Sequence, residues 1–325
     1  MGGWRLTVLT LGLVFWAPSQ TLGAQDLSTL IAACGGGSEV GLAWCQEIGL
    51  AVQAAQGALG LASSGGSDIP GSASTLGWRM KGSPRIALSV RGSFTRAPTP
   101  ALDVREGLPG GQTTANLPSI HLTGSVGVFD GFSLGPTVGG FGSVDLAVAT
   151  HWVRTPRDQG FQENPTGWGI GARVGILRES FSLPGISLSA FHRSLGNIDL
   201  WNMDEGDPAE GSFDLRVSSL RGVVGKDLWG LGFFGGAGWE RYSGDMTLLA
   251  ADPGDTSIVF TGSGELESER LLFFVGGSMT FLTLQISAEI GLAEGFDPTL
   301  PLPTGGGFDP TSRSEFGALA FRLTF

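Results

Sequence analysis

Ten charged or imidazole side chains recur where alternating segments would place them on one face. They are Arg91, His121, Asp145, Arg173, Arg193, Arg216, Glu240, Arg270, Glu289 and Arg322. Four of them on consecutive predicted strands, Arg216, Glu240, Arg270 and Glu289, could form a ladder of opposite charges across the wall. Alternate residues of a strand point to the same side, so we expect these groups to face a common interior. There they could select small charged solutes in a channel, or form a structural salt-bridge network that fills a narrow space. The sequence leaves both interpretations open.

Catalytic chemistry has little support in the sequence. His151 and Asp145 are the closest approach to an acid–base pair, but six residues along a strand separate two side chains by about 20 Å. That distance is far beyond hydrogen-bond reach. No serine has a nearby histidine in a recognisable motif. We therefore expect no enzymatic activity and no cofactor.

Clustered carboxylates in the polar links are a second place where chemistry could occur. They lie between residues 199 and 210 and between residues 245 and 267. Carboxylate oxygens suit Ca²⁺ or Mg²⁺, but no spacing here matches an EF-hand loop. We interpret them as solvated loop charge and predict no metal site.

Two cysteines, Cys34 and Cys45, flank the glycine run 35–37, which permits a reversal of the chain. No histidine or further cysteine lies nearby to complete a metal site. In an oxidising compartment such a pair can form a lasting disulfide. We predict that this disulfide pins a short helix at about residues 26–33 against the next helix.

The first 24 residues have the pattern of a secretory signal peptide. Arg5 precedes an apolar stretch from Leu6 to Ala17, and small residues follow up to Ala24. This order of charged start, apolar core and small-residue exit predicts cleavage and export. We place the cleavage after Ala24.

Residues 25–77 are predicted to form a helical segment and a linker. Ser38 is a suitable N-cap, and the helix would run through Ile48 and Val52 to Ala62 before the Gly/Ser/Pro-rich residues 63–74. The helix is slim because it is rich in Ala and Gly. It could plug or cap the periplasmic side of a barrel from within the lumen, or pack against a periplasmic partner.

Composition restricts the fold and the partners. Glycine accounts for 55 of 325 residues and charged residues for 15%, and the mean hydropathy is +0.17. No strict Gly-X-Y period or long apolar run after the leader exists, which excludes collagen and argues against helical membrane spans. With 19 Lys+Arg against 30 Asp+Glu, the net charge of -11 argues against nucleic-acid partners.

From Arg85 to the last residue the pattern has a period of two, which is typical of strands. In the first segment Ile86, Leu88 and Val90 alternate with Ala87 and Ser89. The ten predicted strands are about 85–95, 118–129, 137–153, 167–176, 185–195, 212–224, 229–243, 267–280, 282–293 and 315–325. Residues 75–80 could add an eleventh or twelfth strand. In strand 6 Arg221 falls on the apolar face, and a bulge after Ser218 would repair the register.

The predicted connections alternate in length. The long polar links are about 96–117, 154–166, 196–211, 244–266 and 294–314, and the short ones are 130–136, 177–184, 225–228 and the chain around Phe281. Sorting of loops by length is typical of outer-membrane barrels, whose short turns face the periplasm. The sequence therefore predicts an all-β fold, a transmembrane antiparallel up-and-down barrel of about ten strands over residues 78–325.

The last strand is the most specific feature. Leu319, Phe321, Leu323 and the terminal Phe325 share one face, and this strand resembles the C-terminal strand of bacterial outer-membrane β-barrels. The resemblance, to the superfamily and not to one member, implies a Gram-negative outer membrane. It further implies contact with outer-membrane lipid and an assembly signal, carried by Phe321, Leu323 and Phe325, for the barrel-assembly machinery.

Two functions remain open from the sequence. The first is a passive, narrow or gated pore for small solutes or apolar ligands. The second is a structural or surface-interaction barrel with a closed, salt-bridged lumen and acidic loops that bind a partner. A lumen that is continuous and polar would favour the first function, and a salt-bridged lumen the second.

Overall fold

A computed structural model describes residues 39–77, 83–103, 108–133, 139–207, 209–251, 259–296 and 308–325 of this chain. They form one α-helix, α1 (Glu39–Ser64), ten strands and two short 3-10 helices in the links, Arg157–Gln159 and Met203–Glu205. The strands are β1 (Ile86–Asp103), β2 (Leu108–Phe129), β3 (Ser143–Val153), β4 (Thr166–Leu177), β5 (Gly185–Leu200), β6 (Ala209–Leu228), β7 (Leu231–Ala251), β8 (Val259–Phe281), β9 (Leu284–Ala293) and β10 (Ser314–Thr324).

The ten strands close into a single antiparallel barrel in which each strand pairs with its sequence neighbours. β1 pairs with β10 from Ala87↔Thr324 to Arg96↔Glu315, which completes the ring. Closure satisfies the backbone groups that an open edge would expose to lipid. The predicted barrel of about ten strands is confirmed, and residues 75–77 belong to no strand.

Short turns gather at one end of the barrel. Trp229 and Gly230 connect β6 to β7 in two residues, both with positive φ, which suits the twist of a tight hairpin. The first residue of β1 and the last of β10 lie at the same end. In outer-membrane barrels the short turns face the periplasm, so we name this end the periplasmic rim and the opposite end the outer mouth.

The strands reach farther toward the outer mouth than the sequence predicts. Residues 96–103, 108–117, 244–251 and 259–266, expected to be polar links, lie in strands, and β5 and β6 extend to Leu200 and from Ala209. The prediction of long loops at these places is therefore wrong. The extension is possible because a helix inside the barrel gives the inner faces of these hairpins something to pack against.

The polarity of the two faces of the wall reverses along the strands, and β6 is the clearest example. In its outer part Leu215 and Val217 are buried inside while Arg216 is exposed. Farther down, Arg221 is buried inside while Leu220 is exposed. The alternation continues unbroken, and the pairing of β6 with β7 keeps one register across Ser218. The bulge predicted after Ser218 is therefore absent.

Helix α1 runs inside the barrel. It contacts β1, β2, β3, β6, β7, β8 and β10, which together surround it. Its small residues allow this fit, because the ring of Tyr242 lies directly against the backbone of Gly60. Among the described residues no helix is long and apolar enough to cross a membrane.

Candidate functional site

The outer half of the lumen is packed with apolar side chains around α1. Ile48, Val52 and Leu59 of the helix are fully buried in one cluster with residues of the extended hairpins. The hairpin residues of this cluster include Leu117, Leu200, Trp201, Phe213, Leu215, Val217, Met246, Leu248 and Leu266. Helix and hairpins thus form a water-excluding core at the outer mouth.

Below the helix, residues Gly65–Gly77, which we name the strap, continue down the lumen. Ser64 at the end of α1 donates to Glu240 (2.8 Å) midway down the wall. Farther on, the Leu76 amide donates to both oxygens of Asp145 (3.0 Å each), two residues from the periplasmic start of β3. The chain therefore descends from the outer mouth to the periplasmic rim before β1 begins.

Arg221 is the central contact of the strap. Its side chain is 1% exposed and donates to the carbonyl oxygens of Ser64 (2.7 Å) and Gly66. It also forms an ion pair with Glu240 at 2.6 Å. One guanidinium thus satisfies the end of the helix, the start of the strap and a buried carboxylate of the wall.

Two wall carboxylates accept hydrogen bonds from the helix end and the strap. Glu240 accepts from the hydroxyl groups of Ser64 and Tyr242 (2.5 Å). Glu289 accepts from the Ser67 amide (3.1 Å) and hydroxyl (2.6 Å). Charge-assisted bonds of this kind are stronger than neutral ones, so both carboxylates hold the inner chain to the wall.

Further arginines hold the rest of the strap. In descending order, Arg91 donates to the Ser67 carbonyl, Arg193 to the Asp68 carboxylate, Arg322 to the Pro70 carbonyl (2.8 Å), Arg173 to the Ser72 carbonyl (3.0 Å) and Arg85 to the Leu76 carbonyl (3.3 Å). Arg173 also pairs with Asp145 at 2.9 Å. With Arg221, six arginines bind a segment that has no hydrogen-bond ladder of its own.

Nine of the ten predicted inner residues point into the barrel, and the tenth, Arg216, does not. Arg216 is exposed on the outer face, near Asp245 (3.4 Å) and Asp214 (3.7 Å). The prediction that it lines the lumen, as the first member of a charge ladder from β6 to β9, is wrong. In the outer part of β6, where Arg216 lies, the wall is apolar inside and polar outside. Nearer the periplasmic rim, Arg221 of the same strand points inward and pairs with Glu240.

Arg270 and Glu240 are opposite each other in the pairing of β7 with β8. Arg270 lies over the ring of Tyr242, with its guanidinium carbon 5.1 Å from the ring centre, and reaches the Ser314 hydroxyl at 3.4 Å. Its guanidinium also lies against the backbone of Gly57. Arg270 therefore belongs to the wall that supports the helix.

His121 and His151 lie opposite each other on β2 and β3, with ring centres 5.9 Å apart. His121 is within hydrogen-bond distance of the Ser93 and Ser119 hydroxyls. Both ring nitrogens of His151 lack a hydrogen-bond partner within the described part of the chain. Across these same residues, no three His, Cys, Asp or Glu side chains meet as a metal site.

The position of the helix differs from the prediction. A plug or cap at the periplasmic side was expected, but α1 occupies the outer half of the lumen, and the strap occupies the periplasmic half. Sequence reasoning also missed Ser67 and Asp68 as partners of the wall. Their proximity to a Gly/Ser/Pro run suggested only a linker, although irregular chain inside a barrel requires hydrogen-bond donors and acceptors.

Several predictions fall outside the described residues. The signal peptide 1–24, the short helix near 26–33 and Cys34 all lie there. Cys45 is fully buried, and no cysteine in the described part of the chain is free. The Cys34–Cys45 disulfide stays a prediction, as does the exact boundary between the helical segment and the barrel at residue 77.

Many carboxylates expected in solvated loops lie on the outer faces of extended strands. Glu267 pairs with Arg241 at 2.6 Å on neighbouring β8 and β7. In the link after β9, hydrogen bonds from the hydroxyl and amide of Thr311 and the hydroxyl of Ser312 hold the pKa of Asp309 below its usual value. Glu267 and Asp309 are thus paired or locally hydrogen-bonded.

The outside of the barrel is apolar below the extended hairpins. Leu88, Val90, Leu122, Leu146, Val148, Ile170, Val174, Leu188, Phe273, Val275, Ile290, Leu319 and Phe321 are exposed on this face. Trp152 and Trp168 lie toward its outer boundary, and Trp229 and Phe325 at the periplasmic rim, all exposed. An apolar belt with aromatic residues at both edges is typical of a barrel in lipid. Phe321, Leu323 and Phe325 face outward on it.

No known protein family and no curated protein matches the sequence. Solved structures with a similar fold include Ail of Yersinia pestis, at 11% identity and a TM-score of 0.31, covering 74% of this chain and 98% of that one. The outer membrane protease OmpT of Escherichia coli is 10% identical at a TM-score of 0.33, covering 74% and 96%. The transport unit of the autotransporter AIDA-I of Escherichia coli is 11% identical at a TM-score of 0.37, covering 84% and 98%. These likenesses do not extend to function.

Proposed function

We propose that this chain is an integral outer-membrane β-barrel, exported by a cleaved signal peptide, that is closed by its own amino-terminal segment and acts at the cell surface. The observation that carries the proposal is the strap, which crosses the periplasmic half of the lumen and receives hydrogen bonds from six arginines. The apolar core around α1 supports closure at the outer mouth. The proposal assigns no chemical reaction to the barrel.

The surface role rests on the extended hairpins. Their outer faces carry paired charges, as in Arg241–Glu267, and their inner faces pack on α1. A rigid, charged projection of this kind is suited to contact with a macromolecular partner or the lipid headgroup layer. At the other end, we propose that Phe321, Leu323 and Phe325 of β10 present the assembly signal to the barrel-assembly machinery.

A gated pore for small solutes or apolar ligands is the second candidate. The polar nature of the strap contacts favours it, because hydrogen bonds and ion pairs can be exchanged for water when the strap moves. A pore would then require release of the strap from Arg221 and Glu289.

Single-channel conductance in a planar bilayer tests whether the inner segment closes the barrel. We expect the full chain to be silent and a variant lacking residues 25–77 to give stepwise currents, because the deletion removes both the helix and the strap. Folding of each variant is checked by heat-modifiable gel migration. Steady stepwise currents from the full chain would contradict closure and favour the pore.

A further inference from the structure

The direction of α1 has a consequence for the chain that precedes it. Cys45 and Ile48, near its amino end, share the apolar cluster with Leu200 and Ala250. These two residues lie at the outer ends of β5 and β7. Contacts along the helix give its direction: Val52 lies beside Gly211 near the outer end of β6, and Ser64 bonds to Glu240 midway down the wall. The amino end of the helix therefore points to the tips of the extended hairpins, at the outer mouth.

The length of the helix places this end beyond the membrane. Ser64 at its carboxyl end is bonded to Glu240, beside the apolar belt. A helix of 26 residues spans about 39 Å at 1.5 Å per residue. The apolar band of such a barrel is only about 25 Å tall. A helix rising from the middle of the wall thus passes the outer boundary of the membrane well before it reaches Glu39.

The chain that follows the carboxyl end of the helix reaches the opposite rim of the barrel. The strap descends until the Gly77 carbonyl accepts a hydrogen bond from the Arg85 amide, and β1 starts at Ile86 on the periplasmic side. The chain between Glu39 and Gly77 therefore crosses the lumen once, from outside to inside. A chain that crosses once has its two continuations on opposite sides of the membrane.

We infer that the amino end of α1 opens to the cell exterior, so that the residues before Glu39 are displayed on the cell surface. The barrel is then a membrane anchor for its own amino-terminal segment, and the helix and strap are the tether. This inference rests on the outer-membrane location given under the proposed function. It adds a surface element that the hairpin loops alone do not supply.

Cysteine labelling of intact cells tests the inference with a native residue. In a Cys45→Ser variant, Cys34 has no partner cysteine, and a membrane-impermeant maleimide reports its side of the membrane. We expect equal labelling before and after permeabilisation. Two controls in a Cys34→Ser/Cys45→Ser background set the scale: Thr304→Cys in the long link after β9, labelled in intact cells, and Trp229→Cys in a periplasmic turn, labelled only after permeabilisation.

The possible outcomes separate this inference from the proposed function. Labelling of Cys34 only after permeabilisation, with the Thr304→Cys control labelled in intact cells, overturns the inference and leaves the barrel placement intact. Labelling of Trp229→Cys in intact cells, without labelling of Thr304→Cys, contradicts the placement itself. An epitope tag inserted between Gly36 and Gly37, detected by antibody on intact cells, provides a second measurement. Absence of antibody binding by a folded tagged barrel would also overturn the inference.

Discussion

The two halves of the lumen are filled by one continuous stretch of chain but are stabilised by different interactions. In the outer half, α1 satisfies its own backbone groups, and its surroundings are apolar side chains such as Leu215 and Leu248. In the periplasmic half, the strap has no internal ladder, and its carbonyl oxygens accept hydrogen bonds from arginines such as Arg221 and Arg322. The irregular chain thus requires polar and charged partners from the wall, while most of the helix, whose backbone is already satisfied, packs on apolar side chains.

The polarity of the outer face of the wall changes in the opposite direction. Beside the helix the outside carries charged groups such as Arg216 and Arg241, and beside the strap it carries Leu220 and Val224. Lipid requires the apolar outer face beside the strap, while water permits the charged outer face beside the helix. One strand can therefore serve both environments without any change of register.

Breaking the polar half should have the largest effect. We expect Arg221→Met to lower the free energy of unfolding by about 3 to 5 kcal/mol, because Glu240 is left as an uncompensated buried charge. Denaturant titration followed by unboiled gel migration measures this loss. The double variant Arg221→Met/Glu240→Leu should recover the part of the loss that comes from the unpaired charge, and equal losses in single and double variants would contradict the assigned ion pair.

Crowding the apolar half should have the next largest effect. A Cβ atom at Gly60 would lie 2.3 Å from the Tyr242 ring, so Gly60→Ala should cost about 1 to 3 kcal/mol through overpacking. Gly92→Ala is the matched control, because nothing lies within 4 Å of its added carbon. If Gly60→Ala stabilises the barrel, as alanine normally does in a helix, the helix does not lie against Tyr242.

Removing one hydroxyl from the strap should have a smaller effect. Ser67→Ala deletes the 2.6 Å bond to Glu289 but keeps the amide donor to the same oxygen. We expect a loss of about 1 kcal/mol, seen as a lower denaturant midpoint. Ser63→Ala, which loses only a bond to the Gly60 carbonyl within the helix, should lose less; the reverse order would argue against the strap contact.

The outer-face charges should contribute least. Arg216 is 48% exposed in its ion pairs, so screening by solvent limits their value. Arg216→Met should change the free energy of unfolding by less than about 0.5 kcal/mol. A loss comparable with that of Arg221→Met would restore Arg216 to the lumen and contradict the register of β6.

The ten-stranded fold was predictable because lipid imposes a single rule, apolar outside and polar inside, on most of each strand. That rule placed Arg91, Asp145 and Glu289 inside. It failed at Arg216 because the rule applies only at membrane depth. Between Ser218 and Ser219 the inner face changes from apolar to polar, which in the sequence looks like a shift of register. Sequence pattern alone does not mark where the membrane ends.

The path of the inner chain was less predictable than the wall. The helix near Ile48 and Val52 was recognised from its N-cap and composition, but a slim Ala/Gly helix has no feature that selects one half of a lumen. The strap resembled an ordinary linker because most of its binding groups are backbone carbonyls and amides, which almost every residue has. Many of its partners, such as Arg221 and Arg322, lie more than a hundred residues away in sequence.

Double-cysteine cross-linking tests most directly whether the helix lies at the outer mouth and the strap at the periplasmic rim. A Cβ atom at Gly211 would lie 3.5 Å from Cγ2 of Val52, and one at Gly185 would lie 2.7 Å from Oγ of Ser74. In a Cys34→Ser/Cys45→Ser background, we expect disulfides in Val52→Cys/Gly211→Cys and in Ser74→Cys/Gly185→Cys. The exchanged pairs, Val52→Cys/Gly185→Cys and Ser74→Cys/Gly211→Cys, should not form them. Cross-links in the exchanged pairs alone would place the helix at the periplasmic rim and contradict the account.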